Sequence, residues 1–194
     1  LIKLLMENQG SVDLEDLKGK NIPDDKYIIR CYNNPLEELS KNYEEGHRLM
    51  AVKLKFIVEE EVVLEGGYEI KDLAHWMENH EDAYLLLKTD EWNKGIFLKV
   101  KDEYPDIKDR LIVEQTKFDQ YYRLSNKAFK NIFFKATKGN YINEEILDFL
   151  KRNPLAGVIL NEEYLDNSFV KELKDLEISI YLDREDENED IDQY

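Results

Sequence analysis

The chain has 194 residues, 42% of them apolar, which suits one domain with a sizeable core and excludes disorder of the whole. Lys and Arg total 27 against 43 Asp and Glu, and the resulting net charge of −16 repels polyphosphate, so nucleic acid and anionic membrane surfaces are excluded as general partners. One cysteine, Cys31, precludes an internal disulfide framework and fits a reducing, cytoplasmic-type compartment; neither a secretory signal nor a bilayer-spanning apolar run is evident.

Residues 1–26 stand apart as a helical extension and linker. Leu1, Leu4 and Leu5 fit a helix, Leu14 and Leu17 a further turn, and Lys18-Gly19-Lys20 leads toward Ile22-Pro23. The first residue is Leu rather than Met, so a longer parent chain is kept open. From residue 27 onward short β-rich runs recur at Tyr27–Cys31, Ala51–Ile57, Ala83–Lys88, Arg110–Gln115, Asn131–Ala136, Ala156–Leu160 and Ile178–Leu182. Val62–Leu64 reads as the return arm of a hairpin.

Helical patterns fill the gaps. Asn34 caps the first, Pro35 suits its first position, Glu37 stands where a capping box places its acid, and Gly46 ends it. Lys71–His80, Asn93–Glu103 and Asp119–Lys127 follow. Asn143-Glu144-Glu145 opens another helix, and Asn167 or Ser168 opens the last, burying Phe169, Leu173 and Leu176.

Strands separated by single helices call for right-handed crossovers and a parallel sheet. The expectation is an α/β, TIM-barrel-like (β/α) repeat, incomplete or degenerate, with about seven strands. A doubly wound sheet is the rival, disfavoured because no Gly-rich loop follows the first strand. The stretch from Asp183 to Tyr194 lacks the central Gly and closing Glu of an EF-hand loop, and residues 184–194 read as a solvated acidic tail.

The order Asn34-Pro35-Leu36-Glu37-Glu38-Leu39, Tyr43-Glu44-Glu45-Gly46 and Ala51-Val52-Lys53-Leu54 resembles the glycerophosphodiester phosphodiesterase family. Tyr84–Asp90, Asp109-Arg110-Leu111-Ile112, Asn131–Phe134 and Ile180-Tyr181-Leu182 look like that family's later strands. The resemblance covers residues 27–183 and implies a barrel whose site lies at the C-terminal ends of the strands. It also implies two His acting as acid and base and carboxylates holding a divalent metal. Those residues do not carry over. Arg30 stands at the first His position, Ala51 and Lys53 at the Glu and Asp positions, Gly66-Gly67 at the His-Asp pair, and Lys88 at a further acidic position. The three histidines, His47, His75 and His80, fall on or beside helices, and His75 and His80 are five residues apart, a poor spacing for helical zinc ligation. The expectation is therefore no metal, no cofactor and no catalytic residue. The resemblance further implies an eighth strand that this sequence lacks, leaving an open edge for the N-terminal segment, a partner or another copy to cover.

Period two along the second strand places Ala51, Lys53 and Lys55 on one face. Alignment brings Arg30, Lys88 and Glu114 to the same mouth, and Lys135 and Asp183 end later strands. Arg30, Lys53, Lys55, Lys88, Glu114, Lys135 and Asp183 are thus the candidate site residues. Two readings stay open: a buried ion-pair network replacing the metal-centred charge balance, or a metal-free anion pocket for a phosphorylated polyol. The expected function is a non-catalytic, phosphodiesterase-like binding or scaffolding barrel. Its alternative is a phosphoric diester hydrolase with a rearranged site. The expected partners are a phosphorylated small molecule or a protein covering the open edge.

Overall fold

The structure, a computed structural model, describes residues 11–18, 22–56, 62–89, 94–124, 129–137, 139–153 and 155–184. Leu1, Leu4, Leu5, Ile57 and the tail beyond Arg184 lie outside the described residues.

Strands β1 (Ile29–Arg30), β2 (Leu49–Phe56), β3 (Val62–Leu64), β4 (Tyr84–Thr89), β5 (Leu111–Gln115), β6 (Asn131–Lys135), β7 (Gly157–Leu160) and β8 (Ser179–Leu182) form one sheet. Its order is β1-β2-β4-β5-β6-β7-β8, all parallel, and β3 returns antiparallel along β2 as the hairpin arm. Helices α1 (Pro35–Glu44), α2 (Ile70–Glu78), α3 (Lys94–Glu103), α4 (Phe118–Leu124), α5 (Asn143–Arg152) and α6 (Asn167–Asp175) supply the crossovers. The sheet curls into an incomplete TIM-like barrel, as the alternation of strand and helix predicts.

The two ends of the sheet meet. Tyr27 bridges Leu182 in parallel, and the Ile28 N–H donates to the Leu182 carbonyl at 2.7 Å. On the same edge of β8, the Val12 N–H donates to the Ile180 carbonyl at 2.8 Å. The open edge expected from the missing strand is thus covered within the chain, by two separate N-terminal pieces. Val12 is fully buried there, Lys174 donates to the Ser11 hydroxyl, and Lys26 donates to the Ser11 carbonyl. Among the described residues of this stretch the helical turns are 3₁₀, at Asp16–Lys18 and Asp24–Lys26, where a helical turn around Leu14 and Leu17 is expected.

Local chemistry explains most helix starts. Glu38, not the expected Glu37, accepts the Asn34 N–H at the head of α1. Asp166 caps α6 by accepting from the N–H groups of Ser168 and Phe169, and Asn167 opens the helix as expected. Glu145 reaches back to the Ile142 N–H at the start of α5.

On each strand alternate apolar residues pack outward against the helices, among them Val52, Leu85, Val113 and Phe134. The opposite parity fills the barrel with Leu49, Ala51, Leu86, Ile112, Phe133 and Tyr181. Each aliphatic or aromatic side chain fully buried in this way contributes about 1.5–3 kcal/mol. Phe133 stacks on Tyr181 with ring centres 5.5 Å apart, and Gly157 makes room, since a Cβ there would stand 3.2 Å from the Phe133 ring.

A charged plug in the mouth of the barrel as candidate functional site

The same inward parity, continued past the apolar filling, brings charge to the C-terminal ends of the strands. Lys53 of β2 lies directly beside Lys88 of β4 in the parallel register. Two like charges side by side on one face repel, so each requires a carboxylate. Lys53 has Glu65, from the turn after β3, at 3.7 Å. Lys88 has two: Glu114 of β5 at 3.2 Å and Asp183, just beyond β8, to which it donates a hydrogen bond. Arg30 of β1 completes the group, its Nε donating to Asp183 at 2.9 Å and a terminal amine to the Arg184 carbonyl. Lys135, which ends β6, is 7% exposed.

Burial sharpens these interactions. Burial alone would pull the Lys88 ammonium below its ordinary pKa, but Glu114 and Asp183 beside it outweigh that and hold it well above. Burial alone would raise Asp183, yet Lys88 and Arg30 keep its carboxyl below the usual 3.8. The pair is charged at any physiological pH.

Tyr32, two residues beyond Arg30 on the same parity, lies over this group. The Arg30 guanidinium and the Lys53 ammonium stand 5.7 and 5.9 Å from its ring centre. Its hydroxyl is buried and has no hydrogen-bond partner, and burial, the largest influence, raises its pKa. The Glu114 Oε2 is buried as well, and its neighbour Lys88 approaches without the alignment of a hydrogen bond.

Of the seven candidate residues, the structure brings Arg30, Lys88, Glu114 and Asp183 into one network, with Lys53 beside Lys88 at its border, and buries Lys135 at the end of β6. Lys55 does not join them. It is exposed, because β2 continues past the mouth as the hairpin that pairs Lys55 with Val63. Tyr32 and Glu65 are the residues sequence reasoning missed. Extending the period-two count beyond Cys31 would have found Tyr32; nothing in the sequence singles out Glu65.

Among the described residues, no three or more His, Cys, Asp and Glu are grouped so as to hold a metal. At the positions where the family resemblance implies ligands, Lys53, Lys88 and Ala51 offer no oxygen or nitrogen donor to a divalent cation. Gly66 and Gly67 have φ of +101° and +92°, a region that side-chain-bearing residues rarely adopt, so the local backbone itself disfavours a His-Asp pair there. The residues present do not fit the metal that the fold implies. His80 is held structurally: its ring stacks on Trp76 with centres 4.0 Å apart and its Nδ1 contacts the Trp76 carbonyl, while His75 is exposed on the same helix. Cys31 is fully buried, and burial raises its thiol to about 12.

No family model and no curated protein matches the chain. Solved structures do match. One, assigned as a glycerophosphoryl diester phosphodiesterase from Silicibacter pomeroyi, has a TM-score of 0.64 at 11% identity, covering 97% of this chain and 89% of its own. Another, assigned as a glycerophosphodiester phosphodiesterase from Galdieria sulphuraria, has a TM-score of 0.60 at 12% identity, with 81% and 82% covered. A glycerophosphodiester phosphodiesterase from Parabacteroides distasonis gives 0.56 at 10% identity, with 86% and 87% covered. The fold is theirs. At such identity the likeness concerns the glycerophosphodiester phosphodiesterase fold and not the chemistry. No helix among the described residues is long and apolar enough to cross a membrane.

Proposed function

We propose that this chain is a catalytically inactive relative of the glycerophosphodiester phosphodiesterases, serving as a binding or scaffolding domain in a reducing compartment. One observation carries the reading: the Lys88 ammonium sits against both Glu114 and Asp183, so a side chain of the protein supplies the positive charge these carboxylates face. An internal cation of this kind balances the mouth, keeps its acids ionised and leaves no vacancy for a metal. The notion of a metal-free pocket for a phosphorylated polyol belongs to the same reading, with Arg30 and Lys53 as the cations of the mouth nearest solvent.

The test is hydrolysis of glycerophosphocholine by the full chain with added Mg²⁺ or Ca²⁺. The expected result is no release above the uncatalysed rate, in the wild type and in Lys53→Ala alike. The second reading, a phosphoric diester hydrolase with a rearranged site, draws on the names of the fold neighbours and on the buried, unpartnered Tyr32 hydroxyl. Turnover that Lys53→Ala abolishes would establish it in place of the first.

A further inference from the structure

We infer that Lys88 is the residue that makes this mouth metal-free. Its ammonium occupies the place a divalent cation would take between Glu114 and Asp183, and exchanging that one side chain for a carboxylate opens the place to the ion. The inference rests on the non-catalytic reading above and assigns the loss of the metal to a single position.

The geometry is that of a tethered counter-ion. Leu87 pairs with Val113 in the parallel register, so Lys88 and Glu114 project from neighbouring strands at one level. The Lys88 Nζ stands 3.2 Å from the Glu114 Oε2 and donates to the Asp183 Oδ2. The Glu114 Oε2 is buried without a hydrogen bond, so what it meets at this point is positive charge rather than an aligned donor. Carboxylate oxygens converging on one cation suit a hard metal ion as well as an ammonium. From the other side the Arg30 Nε holds the Asp183 Oδ1 at 2.9 Å, which fixes that carboxylate in place.

Charge balance explains why the wild type has no use for an ion. Arg30 and Lys88 match Glu114 and Asp183, and Lys53 has Glu65 of its own. A divalent ion finds its place filled and no negative charge left to neutralise. Burial disfavours the Lys88 charge, but the two acids outweigh burial, so the ammonium does not give way by losing its proton.

Lys88→Glu reverses both conditions. A Glu side chain ends one bond short of where a Lys nitrogen lies, so it leaves the ammonium's place open and turns an oxygen ligand toward it. Three carboxylates then stand against Arg30, and one divalent ion restores neutrality. Lys88→Met fills a similar length without charge and offers no such ligand.

The experiment refolds the full chain, as wild type, Lys88→Glu and Lys88→Met, in EDTA or in Ca²⁺ and follows thermal unfolding by circular dichroism. At about 10 mM Ca²⁺, roughly tenfold above the dissociation constant of a weak oxygen site, Lys88→Glu is expected to gain about 3 °C or more over EDTA. Wild type and Lys88→Met carry the same acidic surface and are expected to gain less than about 1 °C. Adding Glu114→Gln to Lys88→Glu should remove the gain. A wild-type gain equal to that of Lys88→Glu assigns Ca²⁺ to the acidic surface and overturns the inference, as does a gain that survives Glu114→Gln. A Lys88→Glu chain that folds only with Ca²⁺ supports it, and one that stays unfolded at every Ca²⁺ concentration overturns it. Hydrolysis of glycerophosphocholine by the wild type refutes the parent reading and is scored separately. A missing Ca²⁺ gain refutes this inference and leaves that reading standing.

Discussion

Along β4 the inward side chains run Tyr84, Leu86, Lys88, and around Asp183 the same parity runs Ser179, Tyr181, Asp183. Within two residues, roughly 6–7 Å of strand, the barrel interior passes from a packed apolar layer to a sealed cluster of charge. Both layers are nearly inaccessible to water, and both are built by the same strands in the same register. They differ in what holds them. The lower layer gains from area removed from water, which is indifferent to the identity of the neighbour. The upper layer gains only if each charge finds its specific partner, and its net contribution is small because desolvation opposes it. A chain that fills half of its barrel with aliphatics had the means to fill the rest likewise. That it does not sets the mouth apart from the layer beneath it.

The largest effect is expected in the lower layer. Phe133→Ala removes a 1% exposed ring that stacks on Tyr181, and it should destabilise the fold by about 3–5 kcal/mol. Urea unfolding followed by circular dichroism measures it, and a loss below about 1 kcal/mol would show that the layer collapses to fill the gap. In the upper layer, Asp183→Ala leaves Lys88 with Glu114 alone and strips Arg30 of its carboxylate. Breaking a buried ion pair on one side costs roughly 3–5 kcal/mol, and the lower bound applies here because Arg30 keeps a path to solvent.

Much of this contrast was legible in the sequence, and for a physical reason. Strand parity is local and strict, so an inward Ala51 fixes an inward Lys53, and the resemblance of the strand order aligns Arg30, Lys88 and Glu114 at one level, with Asp183 ending a later strand. Parity fails where a strand leaves the barrel, which is why Lys55 was expected at the mouth and lies outside it. It also goes unused where the strand is taken to stop, which is why Tyr32 escaped notice. Partners were beyond reach. Arg30 and Asp183 are 153 residues apart, and no periodicity says which acid a buried lysine will choose. The closure of β8 by Val12 and Ile28 depends on the same long-range geometry, whereas the helix starts depend on local groups, reached at Asn167 and missed by one residue at Glu38.

Backbone strain gives an intermediate test of how firmly the mouth excludes the implied catalytic pair. At Gly66 a Cβ would meet the Asn33 carbonyl and the Pro35 ring, each at 2.9 Å, with φ at +101°. Gly66→Ala should therefore cost about 1–3 kcal/mol in urea unfolding. A neutral substitution would mean that this turn relaxes readily, and that a His could return to it.

Acid titration separates the two layers without altering either. Asp183 has a lowered folded pKa, so its contribution is complete above the unfolded value of 3.8 and is lost as pH falls through the lowered folded value. Lys88 has a raised one, so its contribution is complete below 10.5 and is lost only as pH rises through a still higher value. Stability owed to this pair should be level between about pH 5 and pH 9 and fall at both extremes. Asp183→Asn should flatten the acid limb between about pH 5 and pH 2, leaving the remaining carboxylates to titrate as before. An unchanged acid limb would place the acid sensitivity elsewhere on this acidic surface.

The smallest expected effect is the most telling for the comparison. Replacing the buried plug with apolar residues, as Lys88→Met, Glu114→Leu and Asp183→Leu together, removes three charges of near-cancelling sign and extends the aliphatic layer up to the mouth. Burial of similar volume offsets the lost attraction, and the desolvation penalty disappears, so the net change should be within about 1 kcal/mol of zero or favour the variant. Arg30 remains able to reach the Arg184 carbonyl and water. If the triple variant is as stable as the wild type, the charges add nothing net to the fold and stability does not account for them. If it loses several kcal/mol, the plug is an integral part of the core and the distinction between the layers dissolves.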